Sequence, residues 1–129
     1  MLVSTSLDPG AQPQDSSLES AAATGLVPAW ALALGLLSFT VIGPILEEIV
    51  FRGVLMHELG KLVRPVWVVV LSAAIFMAIH LAVPVFPFLF VMGVFLAWMR
   101  LWHGSLWPPV LAHMCGNTIA SFGVVLALV

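Results

Sequence analysis

Apolar residues dominate the chain from residue 26 onward, and polar or proline-containing stretches interrupt them at three places. The interruptions lie at 61–65, 84–87 and 100–105, and they leave apolar segments at about 26–60, 66–83, 86–102 and 106–129. At a helical rise of about 1.5 Å per residue, each of the last three segments fits one crossing of a hydrocarbon core of about 30 Å. The pattern therefore predicts an all-α, polytopic membrane bundle of about four transmembrane helices.

The first apolar segment is too long for a single straight crossing. Gly43-Pro44 lies near its middle. Proline inside a helix removes one backbone hydrogen bond, and its ring clashes with the preceding turn. We therefore expect the first helix to be kinked or broken near Gly43-Pro44. The pattern does not distinguish these two outcomes.

Residues 1–25 differ from the rest in being rich in serine, alanine, proline, glutamine and acidic groups. They contain no basic region followed by an apolar run, so they resemble neither a signal peptide nor a transmembrane segment. They also hold too little apolar surface to offset the entropy of ordering them. The predicted organisation is a mobile N-terminal tail at 1–25 followed by one membrane core at 26–129.

The composition agrees with a membrane protein and excludes nucleic acid as a partner. The chain is 62% hydrophobic and 8% charged, and its net charge of −2 leaves no basic stripe for a phosphate backbone. Lys61, Arg64 and Arg100 lie in the connections 61–65 and 100–105. The positive-inside rule places both connections in the cytoplasm. If the first helix is broken into two crossings, the tail lies on that side too; otherwise it lies outside.

Three ionisable residues lie within the first apolar segment. Glu47 and Glu48 are adjacent, and Arg52 follows one helical turn later. Each such group at the membrane centre costs about 2.5–3.5 kcal/mol on insertion scales, so intramembrane charges usually face a protein interior or a water-filled cavity and have a function there. Glu48 and Arg52, four residues apart, share a helix face and are expected to pair. Glu47 is turned by about 100° from Glu48 and is expected to point at histidines on other helices.

Other polar residues are expected at the same depth as Glu47. Glu47 and His80 lie about equally far from the connection at 61–65, on helices that would be antiparallel. The last helix carries His113 and, one turn deeper, Asn117. One layer of the bundle would then hold a carboxylate, two imidazoles and an amide from three helices.

This set of groups suits hydrolysis by an activated water molecule. A glutamate can accept the proton of the water, a histidine can share it, and an amide with a second histidine can donate to the oxyanion. Alternatively, Glu47, His80 and His113 could hold a divalent metal such as zinc, because two histidines and one carboxylate with an open position form a catalytic zinc arrangement. Both alternatives lead to peptide hydrolysis, and the residue pattern does not distinguish them.

Other intramembrane hydrolase designs do not fit the chain. The only two aspartates, Asp8 and Asp15, lie in the predicted tail, so an aspartyl dyad within the helices is not available. The serine motif G-x-S-x-G and the zinc motif H-E-x-x-H are both absent.

At these residues the chain resembles the CPBP family of intramembrane proteases, also called the Abi or type II CAAX prenyl endopeptidase (Rce1-like) family. Three family signatures occur in order, E-E-x-x-x-R, F-x-x-x-H and H-x-x-x-N. Their residues here are Glu47, Glu48 and Arg52, then Phe76 and His80, then His113 and Asn117. The resemblance extends over residues 26–129.

The resemblance implies roles for these residues. Glu47 and His80 would activate water, and His113 and Asn117 would stabilise the oxyanion. Glu48, Arg52 and Phe76 would support the site. The implied substrate is a peptide or a lipidated protein tail of the CAAX type that is reached from the membrane.

The resemblance is also compatible with other functions and with an assembly of more than one copy. Bacterial relatives are linked to bacteriocin self-immunity, which suggests a prokaryotic plasma membrane and an alternative role in non-catalytic immunity or peptide binding. An ion-relay or transport subunit is a further alternative for buried glutamate and histidine. Larger family members carry about eight spans, whereas this chain has the four-helix core. A shortened gene product, or assembly with a second copy into a homo-oligomer, would each account for this difference.

Overall fold

The structure is a computed structural model that describes residue 25 and residues 28–127. The predicted tail, apart from Gly25, lies outside the described residues. Contacts divide the chain into two units, Met1–Gly35 and Leu36–Val129. In the first unit the described residues from Ala29 are helical, and the second unit contains every residue of the predicted site.

The described residues form helices and connections without any strand, which confirms the predicted all-α bundle. The first helix, α1, consists of consecutive helical segments, Ala29–Leu37, Ser38–Ile42, Gly43–Glu48, Ile49–Leu55 and Met56–Gly60. The next helices are α2 (Pro65–Ile79), α3 (Phe86–His103), which follows a short 3₁₀ turn at Val83–Val85, and α4 (Trp107–Ala127).

The α1 helix passes through Gly43-Pro44 with a local distortion and not with a break. Gly43 keeps helical dihedral angles (φ −55°, ψ −58°). The preceding segment, Ser38–Ile42, is π-helical, and the Gly43 N–H donates to the Ser38 carbonyl five residues back. A π turn widens the helix where the proline ring would otherwise press on the preceding turn. Of the two predicted outcomes the break is therefore not observed.

The α2 helix ends earlier than the apolar pattern indicated. It stops at Ile79 and not near residue 83, and His80 occupies its C-cap. Leu81 then adopts a left-handed conformation (φ +52°). A short 3₁₀ turn at Val83–Val85, which contains Pro84, then leads into α3. His80 therefore lies at the helix end.

A close approach between α2 and α3 fixes the centre of the bundle. A Cβ atom on Gly93 would lie 3.0 Å from the Cα atom of Ala73, so only glycine allows this spacing. Phe51, Phe76 and Leu89, from three different helices, form a buried apolar cluster beside this contact. These contacts hold α2 and α3 against α1, next to the polar residues that α1 carries.

The exterior of the bundle is apolar, as expected for a protein in lipid. Large apolar side chains are exposed along all four helices. Two of the described helical stretches are long and apolar enough to cross a membrane, Trp30–Gly60 and Val83–His103, while Pro65–Ile79 is apolar but shorter.

Candidate active site

A buried polar network links the first and last helices. Glu48 and Arg52 have fully buried side chains, and the Arg52 Nη1 atom lies 3.0 Å from the Glu48 Oε1 atom. The same Oε1 atom lies 2.9 Å from the Nδ1 atom of His113, which is also buried. Because a carboxylate only accepts hydrogen bonds, Nδ1 carries the hydrogen and donates it to Glu48. Glu48 therefore holds the arginine and orients the imidazole.

Arg52 also connects this network to α3. Its Nη2 atom donates to the Gly93 carbonyl at 3.1 Å. Its guanidinium carbon lies 4.8 Å from the centre of the Phe76 ring, within the range of a cation–π contact. Removal of the arginine would leave Glu48 with His113 but without its cation, and it would remove the side-chain donor to the Gly93 carbonyl.

Glu47 has a different environment from its neighbour. Its side chain is 34% exposed, and its Oε2 atom lies 3.7 Å from the Nε2 atom of His113. This separation is too long for a hydrogen bond. The Oε2 atom is itself buried and has no hydrogen-bond partner among the described residues. The exposed part of the Glu47 side chain therefore lies elsewhere, and Glu47 is the more accessible carboxylate of the pair.

His80 and His113 both pack against Phe76. The centre of the Phe76 ring lies 4.7 Å from that of His80 and 5.7 Å from that of His113. The Nδ1 atom of His80 lies 2.7 Å from the Phe76 carbonyl and must donate to it. In the neutral ring this leaves the His80 Nε2 atom as an acceptor. The F-x-x-x-H pattern thus supplies both the ring between the histidines and the carbonyl that sets the tautomer of one of them.

Asn117 bonds the backbone of α1. Its Nδ2 atom donates to the Phe39 carbonyl at 2.9 Å. Gly43 pairs with Ser38 in the π register, so the next donor in that register would be residue 44, which would pair with Phe39. Residue 44 is proline and has no N–H. Asn117 therefore supplies the hydrogen bond that Pro44 cannot make.

The residues proposed as metal ligands are only partly brought together. Glu47 and His113 approach each other, but the described residues contain no group of three histidine, cysteine, aspartate or glutamate side chains placed to hold a metal ion. The Nδ1 atom of His80 donates to the Phe76 carbonyl, so Nε2 is the ring nitrogen that could face a metal. As they are placed, these side chains do not form a three-ligand metal centre among the described residues.

Several contacts follow from the sequence pattern, and others do not. The Glu48–Arg52 pair and the approach of Glu47 to a histidine agree with the helix-face argument. The bond from His113 to Glu48, which leaves His113 between the two glutamates, was not foreseen. The bond from Arg52 to the Gly93 carbonyl was not foreseen either. Its one signal in the sequence is that a glycine lies in the middle of an apolar helix.

Comparison with known proteins identifies one family. The family model described as "Type II CAAX prenyl endopeptidase Rce1-like" matches residues 28–119, which include every residue of the candidate site. No curated protein and no solved structure matches the chain.

Proposed function

Because the chain belongs to the type II CAAX prenyl endopeptidase Rce1-like family, whose members are membrane-embedded proteases, we propose that it is an intramembrane endopeptidase acting through a glutamate-activated water molecule. Its proposed substrate is a lipidated, CAAX-like protein tail or another peptide reached from the membrane. The observation that carries the proposal is the unequal environment of the two adjacent glutamates. Glu48 is fully buried and bonded, whereas Glu47 is 34% exposed and faces His113.

The proposed first step is the attack of water on the scissile carbonyl carbon. Glu47 accepts one hydrogen of the water, and the Nε2 atom of His80 accepts a hydrogen bond from the other. The new C–O bond forms as the proton moves to Glu47 and the carbonyl oxygen becomes an oxyanion. Glu47 then delivers this proton to the leaving nitrogen as the C–N bond breaks.

His113 is the proposed donor to the oxyanion. Glu48 fixes the ring through Nδ1 and turns Nε2 toward Glu47. Donation from Nε2 requires the doubly protonated ring, because Nδ1 keeps its hydrogen for Glu48. The resemblance assigns Asn117 to the same task. Its Nδ2 group has two hydrogens, one of which is used by the Phe39 carbonyl, so the second is the one available to substrate.

The proposed orientation places the α1–α2 and α3–α4 connections in the cytoplasm. Lys61, Arg64 and Arg100 lie in or beside these connections. One connection precedes α2 and the other follows α3, so both lie at the same end of this antiparallel pair of helices. The positive-inside rule supports this orientation. The proposed location is a prokaryotic plasma membrane, where an assembly of two or more copies would enlarge the substrate chamber.

Substitution of Glu47 by glutamine tests the proposal. The purified chain in lipid nanodiscs is given a fluorogenic peptide that ends in a prenylated cysteine and three further residues. We expect Glu47→Gln to lower the cleavage rate by about 10²–10⁴-fold, the usual contribution of a general base. Glu58→Gln is the matched control, because Glu58 is exposed and pairs only with Lys61; it should cleave like the unchanged protein.

Other results would assign a different function. Cleavage by Glu47→Gln at the unchanged rate would refute the general-base role. Peptide binding without cleavage by the unchanged protein would favour the immunity or peptide-binding alternative. Proton flux in liposomes that Glu47→Gln abolishes, without any cleavage, would favour the ion relay. An unprenylated copy of the peptide shows whether the lipid is needed for recognition.

A further inference from the structure

A polar cavity lies at the end of the bundle, apart from the Glu47–His113 pair. Its volume is about 250 Å³, and it is lined by Arg52, Gly53 and His57 of α1 and by Arg100 and Gly104 at the end of α3, among others. A single water molecule needs about 10–15 Å³ of such space, so the cavity can hold a group of several atoms. We call it the basic cavity.

The charges around the basic cavity favour an anion. Two arginines and one histidine line it, and no acidic side chain does. The Nε atom of Arg52 is buried and has no hydrogen-bond partner among the described residues. Arg100 donates from Nε to the Arg52 carbonyl at 3.3 Å, and it forms no ion pair with any described carboxylate. The lining therefore offers more donors than the protein satisfies.

The nearby carboxylates already have cationic partners. Glu48 pairs with Arg52 at 3.0 Å on the side of the active site. Glu58 pairs with Lys61 at 2.7 Å. Neither of these carboxylates lines the basic cavity. Among the described residues, no carboxylate pairs with Arg100, so its terminal amino groups can bind an anion.

The position of the basic cavity indicates the source of that anion. His57 lies within one turn of the end of α1, and Gly104 follows the end of α3. Exposed tryptophans surround the same end of the bundle, and two of them, Trp98 and Trp102, pack together with ring centres 4.9 Å apart. The others at this end are Trp67 and Trp107. Tryptophan is enriched where a membrane meets water, at the level of the lipid headgroups.

We propose that the basic cavity binds the phosphate group of an anionic membrane lipid. Arginine is well suited to phosphate because its planar fork can donate two parallel hydrogen bonds. The size of the cavity accommodates the phosphate together with part of its headgroup. The site shares Arg52 with the buried network but contains neither Glu47 nor the two histidines of the candidate active site, and its test measures lipid binding and not cleavage.

Thermal unfolding of the full chain in a neutral detergent tests this proposal. Circular dichroism follows the melting with added short-chain phosphatidylglycerol, short-chain phosphatidylcholine or inorganic phosphate. We expect phosphatidylglycerol to raise the melting temperature of the unchanged protein at the lowest concentration of the three. Arg100→Gln should need at least a tenfold higher concentration for the same shift. Arg64→Gln is the matched control, because it removes the same charge from an exposed position outside the cavity and should respond like the unchanged protein.

A second variant covers the case in which Arg100→Gln does not fold. Gly53 lines the cavity, and a Cβ atom there would make only an ordinary contact of 3.7 Å with Leu106. Gly53→Met fills the cavity without a change of charge and should also lose the response to phosphatidylglycerol. An unchanged response in both variants would overturn the proposal, as would equal shifts with phosphatidylcholine. An equal shift with inorganic phosphate at the same concentration would overturn the assignment to a lipid.

Discussion

Two adjacent glutamates on one helix have opposite environments because a helix turns by about 100° per residue. Glu48 faces the bundle, where Arg52 and His113 satisfy one of its oxygens. Glu47 faces the partly open side, where His113 approaches without bonding it. The buried network thus orients the imidazole, and Glu47 is left partly exposed, as the proposed general base requires.

Loss of the Arg52 charge should destabilise the whole bundle. In Arg52→Gln, Glu48 would keep its negative charge in a fully buried position without its cation. Removal of one partner from a buried ion pair typically costs about 3–5 kcal/mol, because the other charge is left uncompensated. We expect a loss of this size in the free energy of unfolding, measured in detergent with increasing denaturant.

Lys61→Gln provides the comparison for this prediction. It breaks the exposed Glu58–Lys61 pair and should leave the unfolding midpoint unchanged, since exposed pairs contribute little. Equal midpoints for Arg52→Gln and the unchanged protein would show that the buried pair is not needed for stability.

At the scale of elements, the contact between α1 and α4 depends on a proline. The π register leaves the Phe39 carbonyl without a donor because residue 44 has no N–H. Asn117, from the middle of α4, supplies that donor at 2.9 Å. The Gly-Pro distortion and the asparagine of the third signature are therefore parts of one structural contact. This contact places His113, one turn before Asn117, at the level of the glutamates.

A double-mutant cycle between Pro44 and Asn117 tests this contact. In the natural background, Asn117→Ala removes an interhelical hydrogen bond and should cost about 0.6–1.7 kcal/mol of unfolding free energy. In a Pro44→Ala background the restored N–H can satisfy the Phe39 carbonyl, so the same change should cost much less. The difference is the coupling energy, obtained from four unfolding curves.

Thr118→Ala serves as the control in the same cycle. The Thr118 hydroxyl bonds the Met114 carbonyl within α4, so its loss should not couple to Pro44. If Asn117→Ala costs the same in both backgrounds, its hydrogen bond does not depend on the missing N–H of Pro44.

At the scale of the molecule, the helix lengths and the position of charge define how the bundle would lie in a membrane. The α2 helix has 15 residues and a length of about 22 Å, shorter than a core of about 30 Å. The turn after it carries His80. Non-helical backbone at membrane depth is tolerated where it lines a water-filled cavity. A short α2 therefore agrees with water reaching His80.

Cysteine labelling tests the proposed orientation. Leu62 and Val83 are exposed in the two connections that flank α2. In a Cys115→Ser background, we expect a membrane-impermeant maleimide to label Leu62→Cys only from the cytoplasmic side and Val83→Cys only from the outer side, because α2 crosses once in the proposed orientation. The measurement uses intact spheroplasts and inverted vesicles.

The background variant without either new cysteine should remain unlabelled. Labelling of both positions from one side would mean that α2 does not cross the membrane. Reversed labelling would retain the crossing and invert the orientation of the whole molecule.

The sequence by itself determined the features that depend on local pattern. Apolar run lengths gave the all-α bundle and its helices, because apolar surface on this scale is stable only in lipid or against other helices. The spacing of four between Glu48 and Arg52 gave their pairing, because one helix turn brings such residues together. The three signatures gave the family that the model for residues 28–119 shows.

Tertiary structure alone decided which groups meet between helices. Rotation of each helix about its axis is set by packing, here by Gly93 against Ala73, and no local pattern specifies it. The packing of α3 brings the Gly93 carbonyl to Arg52. The packing of α4 on α1 brings His113 to Glu48. The π turn that frees the Phe39 carbonyl for Asn117 is likewise a response of the backbone to Pro44 in its packed surroundings. The sequence thus supplied the chemical groups, and the packing of the helices decided which glutamate is buried and which is partly exposed.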